Sequence, residues 1–263
     1  MSGRYIVPLD LGSAIMDKSL FYLRKYEGQK TEVKTIASYI GGATKKIVVD
    51  TGIPDIERSL KYHPYYKPEP LTPSQELEGA LEKAGVTPDE IDIVILTHLH
   101  WDHVGGVGKF PNAKFIVSRE ELRFAIDPPP CLFIAYEALQ IGIEPMFLKV
   151  IDRVKTVDMK EKEICEGVKI IPLPGHTPGS IGVVVETDDG PYVIAGDAAD
   201  TYQNLQGDPE NKLPFLMQGI YTDMEKMWKS FEFIDEIVKG DYSKVIPGHD
   251  PQVFKHERYP IVS

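Results

Sequence analysis

A short apolar segment that ends in a cluster of histidines is the feature that most restricts the fold of this chain. The segment Ile91–Leu96 (IDIVIL) is almost wholly apolar and β-branched, which is typical of a strand buried on both faces. Three of the seven histidines follow it within six positions, in the run Thr97-His98-Leu99-His100-Trp101-Asp102-His103. Side chains alternate along a strand, so His98 and His100 leave it on the same side and can meet one ion. The pattern therefore predicts a metal-binding loop at a strand end.

The second half of this cluster predicts a neighbouring position for a second ion. Asp102 and His103 add a carboxylate and a third imidazole, and Gly105-Gly106 lets the backbone fold tightly behind them. Imidazole and carboxylate ligands suit Zn²⁺, and equally Mn²⁺, Fe²⁺ or Co²⁺. One ion needs three or four protein ligands, so the cluster alone cannot complete two sites.

Three further candidate ligands each follow a predicted strand at a turn rich in glycine or proline. They are His176 in PGHTPG, Asp197 in AGD and His249 in PGHD. Each alone is more typical of a simple turn, but strand-end loops of one sandwich converge on one edge. Asp50, after the predicted strand Lys45–Val49, is interpreted either as a turn cap or as support for a ligating histidine.

The remaining histidines have no partner motif in the sequence. His63 is predicted to lie at the surface, and His256 is at most a C-terminal helper.

The order of predicted elements indicates an α/β (α+β) fold with mixed sheets covered by helices on their outer faces. Helices are expected from Thr72-Pro73-Ser74 to Ala84 and over Asp223–Val238. One domain is expected over residues 1–263. The segment Arg119–Ile151 is its least regular part, and it is either core packing or a mobile pocket wall. The remaining strands are predicted at Tyr5–Pro8, Lys34–Ile40, Lys114–Val117, Val168–Ile171, Ile181–Glu186, Tyr192–Ala195 and Lys244–Ile246.

Charge and apolar patterning exclude several classes of function. The chain has 29 Lys+Arg against 40 Asp+Glu, a formal net charge of −11, which argues against nucleic-acid or anionic-membrane partners. The apolar stretch Cys131–Ile143 is too short and too polar to cross a bilayer; it is either buried or the surface of a homodimer. The N-terminus shows no export signal and the two cysteines form no disulfide framework, so a cytoplasmic location is expected.

These motifs, in this order, resemble the metallo-β-lactamase superfamily over essentially the whole chain. The resemblance implies a four-layer αβ/βα sandwich with two divalent metal ions, zinc in the first instance, at one edge. It places His98, His100 and His176 on the first metal and Asp102, His103 and His249 on the second, with Asp197 bridging both. It also implies a hydrolase in which a metal-bridging hydroxide attacks a carbonyl, while Asp102 orients the nucleophile or passes a proton.

Within the superfamily the chain is most similar to the N-acyl homoserine lactonase branch, which includes 4-pyridoxolactonase-like relatives. The similarity lies in the strand Tyr5–Pro8, the motif Val49–Gly52 and the ending Gly248-His249-Asp250. Lactonases of this branch usually carry a tyrosine three residues after the bridging aspartate, where this chain has Asp200. Either Tyr202 polarises the lactone carbonyl from a different loop path, or the substrate is not an acyl homoserine lactone.

Two other hydrolases of the superfamily remain as alternatives. A glyoxalase II-like thioesterase would carry a long C-terminal extension, whereas 263 − 249 = 14 residues follow His249. A phosphodiesterase would need cationic donors, and near the cluster the sequence offers only Lys109, Arg119 and Arg123. A purely structural metal site is disfavoured, because such sites are usually closed by four ligands.

The expected partner is a small-molecule substrate, an apolar-tailed lactone. The side chains that could wall its pocket, or equally pack in the core, are Met16, Phe21, Tyr22, the apolar residues of Arg119–Ile151 and Leu213–Phe215.

Overall fold

The first of two β-sheets in the computed structural model, which describes residues 3–261, contains six strands in sequence order. They are β1 (Tyr5–Asp17), β2 (Lys30–Gly41), β3 (Ile47–Val49), β4 (Ile93–Ile95), β5 (Lys114–Ser118) and β6 (Val154–Val157). Strands β1, β2 and β3 pair antiparallel, whereas β3 to β6 pair parallel. The carboxyl ends of the parallel strands therefore lie at one edge of the sheet.

The second sheet contains the five remaining strands. They are β7 (Lys162–Cys165), β8 (Val168–Pro172), β9 (Ile181–Thr187), β10 (Gly190–Gly196) and β11 (Val245–Pro247). Their order is β11-β10-β9-β8-β7. Only β10 and β11 pair parallel, and the other neighbours are antiparallel. Both sheets are therefore mixed, as the sequence predicts.

Six α-helices and several short 3-10 helices connect these strands within the described residues. The α-helices are α1 (Ile56–Tyr62), α2 (Leu77–Lys83), α3 (Trp101–Val104), α4 (Arg119–Ile126), α5 (Tyr202–Gln206) and α6 (Met224–Val238). The 3-10 helices are Lys18–Leu20, Pro88–Glu90, Val107–Lys109, Pro130–Leu132, Leu139–Ile141, Met146–Arg153, Pro209–Asn211, Tyr242–Lys244 and Pro251–Lys255. No helix among residues 3–261 has the length and apolar character needed to cross a bilayer.

Alternation along the strands divides the apolar residues into three layers. Ile95 of β4 and Val183 of β9 belong to one cluster between the sheets, while Val94 packs outward against α2. Val184 packs outward on the other side, in a cluster with α6. The order helix, sheet, sheet, helix confirms the predicted four-layer sandwich.

Three local expectations differ from the structure. Helix α2 begins at Leu77 with Glu76 at its N-cap, because the segment from Thr72 forms a turn closed by a hydrogen bond from Gln75 N to Thr72 O (2.8 Å). Strands β6 and β7 are absent from the sequence-based expectation, since each has only four residues and lies at a sheet edge. The segment Arg119–Ile151 contains the regular helix α4, capped by Ser118.

Candidate metal centre

The end of β4 is anchored so that the histidine cluster projects from a fixed point. Thr97, the second residue after β4, donates from its backbone N and its Oγ1 to the carboxylate of Asp50, at 2.8 and 2.7 Å. The chain then passes through His98 and enters α3, with His100 at the N-cap. Asp102 and His103 lie within this one-turn helix. The local fold thus turns the four polar residues of the motif, His98, His100, Asp102 and His103, toward one edge.

The second sheet brings three more side chains to the same edge. His176 follows β8, Asp197 follows β10 directly and His249 follows β11. Gly248 allows the close approach of the last two loops, since a Cβ at this position would collide with Asp197 Oδ1. All three residues are buried or nearly so.

Asp197 lies at the centre of the resulting cluster. Its Oδ2 is 3.4 Å from His176 Nε2, 3.8 Å from His98 Nε2 and 3.2 Å from His249 Nε2. Its Oδ1 is 3.2 Å from His103 Nε2. One carboxylate therefore contacts histidines of both expected metal positions.

The side chains form overlapping triads in which the donor atoms lie within 4.8 Å of one another. The triads are His98/His100/His176, His98/His103/Asp197, Asp102/His103/His249 and Asp197/Asp200/His249. The first and third match the two ligand sets that the sequence resemblance implies, and Asp200 is an addition to them.

Buried donor atoms without partners show that this arrangement fits metal ions. Within the described residues, the Nε2 atoms of His98, His100 and His103 and the Oδ1 of Asp197 are buried and accept no hydrogen bond. A buried polar atom left unsatisfied costs about 1–3 kcal/mol, and several together are rare in folded proteins. Divalent cations coordinated by imidazole nitrogens and carboxylate oxygens would satisfy all four atoms.

Hydrogen bonds on Nδ1, the other ring nitrogen, orient three imidazoles of the cluster. His103 Nδ1 donates to Asp50 Oδ2 (2.9 Å), His249 Nδ1 to Lys34 O (2.7 Å) and His176 Nδ1 to Ile220 O (3.2 Å). Such contacts fix the tautomer and leave Nε2 for an ion. Of the two interpretations of Asp50, support of a ligating histidine is the one that this contact favours.

Burial and mutual charge shift the pKa values of the cluster in opposite directions. Burial and the neighbouring histidines hold the pKa of His98 and His100 well below the usual value. Burial also opposes the charged form of His249, but Asp197 and Asp102 outweigh it and raise its pKa to about 10. Burial and the nearby charge of Asp197 raise the pKa of Asp200 well above its usual value. These shifts arise because the carboxylates of Asp102, Asp197 and Asp200 lie close together around the positions expected for the second ion.

Tyr202 does not reach this cluster. It lies at the first position of α5 and packs in the apolar layer between the sheets. Its hydroxyl hydrogen-bonds Tyr259, and burial raises its pKa. The expected polarising role of Tyr202 is therefore corrected: α5 turns its side chain into the core, away from the metal centre.

A buried polar array that the sequence analysis missed lies beside the cluster. His63, predicted to be at the surface, is fully buried. Its Nε2 lies 3.1 Å from Glu137 Oε1 and its Nδ1 lies 3.2 Å from the Tyr65 hydroxyl. Arg58 closes the array by donating from Nη2 to Glu137 Oε2 at 2.6 Å. No local sequence pattern indicates this array, because Glu137 is 74 positions away from His63.

The cluster opens into a small cavity of about 110 Å³ that is continuous with solvent. Met16 and Phe21 line it as expected, and Leu132 and Ala135 are the contribution of Arg119–Ile151. Tyr22 and Leu213–Phe215 are not among its lining residues. The full lining is Met16, Phe21, Val33, Tyr65, Tyr66, His100, Trp101, Asp102, Leu132, Ala135, His176, Asp197, Asp200, Ile220 and His249.

Comparison with known proteins agrees with this geometry. The family model of the metallo-beta-lactamase superfamily matches residues 32–249. An N-acyl homoserine lactonase of a Bacillus species is 28% identical over 254 residues, covering 94% of this chain and 92% of that protein. A crystal structure of a Bacillus thuringiensis AiiA variant with N-decanoyl-L-homoserine at its active site has a TM-score of 0.75 and 24% identity, covering 97% of this chain and 96% of that one. The structure of AidC, a dizinc quorum-quenching lactonase, has a TM-score of 0.70 and 18% identity, with 95% and 89% coverage.

Fold and site together define an αββα protein whose strand-end loops build a candidate dinuclear metal centre. The match of the family model covers most of the chain. The chain belongs to the metallo-beta-lactamase superfamily.

Proposed function

We propose that this protein is a metal-dependent hydrolase that opens a lactone ring, with an N-acyl homoserine lactone as the first candidate substrate. The observation that carries the proposal is the convergence of eight ligand-type side chains, several with buried unpartnered donor atoms, at the floor of a largely apolar cavity. The Bacillus lactonase similarity supports the choice of reaction.

Two divalent cations, proposed to be zinc, would lower the pKa of a shared water and withdraw charge from a carbonyl oxygen. His98, His100 and His176 are proposed to hold the first cation. Asp102, His103 and His249 are proposed to hold the second, with Asp197 between them. This donor set of nitrogen and oxygen atoms suits zinc as well as manganese, iron and cobalt.

Asp102 is the member of the proposed ligand set that is best placed for a second role. Its side chain is 17% exposed, more than those of Asp197 and His103, and it lines the cavity. A carboxylate at this boundary can orient a nucleophilic water or accept its proton.

Tyr65 is proposed to replace the hydroxyl that the sequence analysis sought at Tyr202. Its side chain lines the cavity, and a hydrogen bond from Trp101 holds its oxygen. Although Tyr65 is 55% exposed, desolvation of its phenol group and the Asp102 charge raise its pKa to about 12, so it keeps its proton at neutral pH. Its hydroxyl can turn from His63 Nδ1 toward a carbonyl oxygen and donate there.

The cavity favours an uncharged, apolar-tailed substrate over a phosphodiester. None of the described residues that line it is a lysine or arginine. Lys109 instead pairs with Glu78 at 2.6 Å, and Arg119 pairs with Asp158 at 3.3 Å. A phosphate would therefore lack the cationic donors that usually bind it, whereas Met16, Phe21 and Leu132 can contact an acyl chain.

The test is a pH-indicator hydrolysis assay on zinc- or manganese-loaded protein. The substrates are N-butanoyl and N-decanoyl homoserine lactone, γ-butyrolactone and a phosphodiester. Turnover of the acyl homoserine lactones that is lost in Asp102→Ala and kept in Asp208→Ala is expected, since Asp208 pairs with Lys25 away from the cavity. Hydrolysis of the phosphodiester alone would contradict the proposal.

A further inference from the structure

Asp200 is a buried residue beside the metal centre, and its carboxylate belongs to neither of the proposed ligand sets. It lies three residues after Asp197 in the loop between β10 and α5 and is 2% exposed. Its backbone N donates to Gln218 Oε1 (3.1 Å), and its carbonyl accepts from His249 N (2.8 Å). The main chain at this position is thus fixed on both sides.

Within residues 3–261, no hydrogen bond reaches the carboxylate of Asp200. The carboxylates of Asp197 and Asp102 disfavour the ionised form of Asp200, whereas the imidazoles of His249 and His103 favour it without hydrogen-bonding to it. Buried charged groups in proteins are generally paired or bound to metals. A cation bound beside Asp200 would therefore stabilise its buried carboxylate.

The distances around Asp200 define a binding position for such a cation. A carboxylate oxygen of Asp200 lies within 4.8 Å of the donor atoms of both Asp197 and His249, and His249 also belongs to the triad with Asp102 and His103. We infer that Asp200 is an additional ligand of the second metal ion. The inference rests on the two-cation centre of the proposed function, but it goes beyond it by assigning a ligand that neither the family motif nor the comparisons supply.

This assignment makes the two ion positions chemically different. The first would be held by the imidazoles of His98, His100 and His176 together with Asp197, whereas the second would receive carboxylates from Asp102, Asp197 and Asp200. Oxygen ligands favour harder ions such as Mn²⁺, while imidazoles suit Zn²⁺. The second position is therefore expected to accept Mn²⁺ more readily than the first.

The experiment measures ion binding and needs no substrate. Metal-free protein is titrated with Zn²⁺, Mn²⁺ and Co²⁺ against a competing chelator, and bound ions are counted after dialysis. Wild type is compared with Asp200→Asn and with Asp200→Ser, so that a folding defect in one variant does not decide the result. Asp208→Asn is the control, because Asp208 is an acidic residue just after α5 that pairs with Lys25 and does not line the cavity. The visible spectrum of the cobalt form reports the ligands directly.

We expect both Asp200 variants to bind the first ion unchanged and the second at least about tenfold more weakly, with a larger loss for Mn²⁺ than for Zn²⁺ and an altered cobalt spectrum. Two ions bound with wild-type affinity and an unchanged cobalt spectrum in a folded variant would overturn the assignment. Wild type that binds fewer than two ions would overturn the centre itself. Wild type that binds two ions but hydrolyses no lactone would overturn only the proposed reaction.

Discussion

The imidazole of His63 stacks on the indole of Trp101, with ring centroids 3.8 Å apart and ring planes 12° from parallel. Trp101 lies between His100 and Asp102 in the metal-binding loop, and Tyr66 packs edge-on against its ring. The end of α1 and the loop that follows it therefore support the loop that carries four of the proposed ligands. This contact links a remote, buried polar array to the geometry of the candidate metal centre.

Replacement of His63 should destabilise the protein although no proposed ligand is touched. His63→Ala removes the stacked ring and leaves the buried Glu137 carboxylate with one partner fewer, which should cost about 1–3 kcal/mol of unfolding free energy. Urea denaturation of the metal-free protein measures this change. His256→Ala is the control, because among the described residues the ring of His256 contacts that of Tyr259 edge-on near the C-terminus. An equal loss of unfolding free energy in both variants would contradict a specific role of the stack.

The buried array of His63, Glu137 and Arg58 should also make the unfolding free energy depend on pH in the acidic range. Burial disfavours the charged form of Glu137, but hydrogen bonds from His63 and Arg58 outweigh it and lower its pKa below the usual 4.5. A carboxylate whose pKa is lowered by folding stabilises the protein above its unfolded pKa and loses this contribution as the pH falls through its folded pKa. The difference in unfolding free energy between wild type and Glu137→Gln should therefore be greatest near neutral pH and shrink on acidification below about pH 4. A difference that is constant with pH would show that the charge of Glu137 contributes nothing.

Removal of the Tyr65 hydroxyl should slow the proposed reaction. Tyr65→Phe keeps the ring that lines the cavity and removes one donor to the developing oxyanion, so kcat should fall by roughly tenfold or more while KM changes little. Tyr202→Phe should leave kcat unchanged, because the Tyr202 hydroxyl contacts Tyr259 in the core. The reverse pattern in steady-state lactone hydrolysis would restore the role first assigned to Tyr202.

Sequence reasoning located the candidate centre because its signals are local. The run from His98 to His103 and the turns at His176, Asp197 and His249 all follow apolar strands, and strand ends of a sandwich meet at an edge. The alternation of Val94 and Ile95 likewise predicted layers on both faces of a strand. The four-layer fold and the approach of the seven side chains could therefore be anticipated.

What sequence reasoning missed depends on contacts between distant segments. His63 and Glu137 meet only through the packing of α1 against the segment after α4, so His63 was assigned to the surface. Tyr202 was expected near the metals from its distance along the chain, but one turn of helix directs it into the core. Asp200 was a recognisable departure from the lactonase pattern, yet only the structure brings its oxygen near His249.

Loss of single ligands should distinguish the two proposed ion positions. His249→Ala is expected to bind one ion instead of two and to lose most lactone hydrolysis, because His249 belongs to both ligand triads around the second position and its loss leaves His103 as the single imidazole there. Elemental analysis after dialysis counts the ions. A folded His249→Ala protein that retains two ions with wild-type affinity would exclude His249 as a ligand.

Metal removal should lower the thermal stability of the wild-type protein. The unpartnered Nε2 atoms of His98, His100 and His103 remain buried without an ion, and a ligand that binds only the folded state stabilises it by about 2.7 kcal/mol at a free concentration of 100 Kd. The Tm should therefore fall when a chelator is added and recover with zinc in a concentration-dependent manner. His249→Ala should show a smaller rise with zinc, since it is expected to keep only the first ion. A Tm that is the same in chelator and in excess zinc would contradict a metal centre built from these residues.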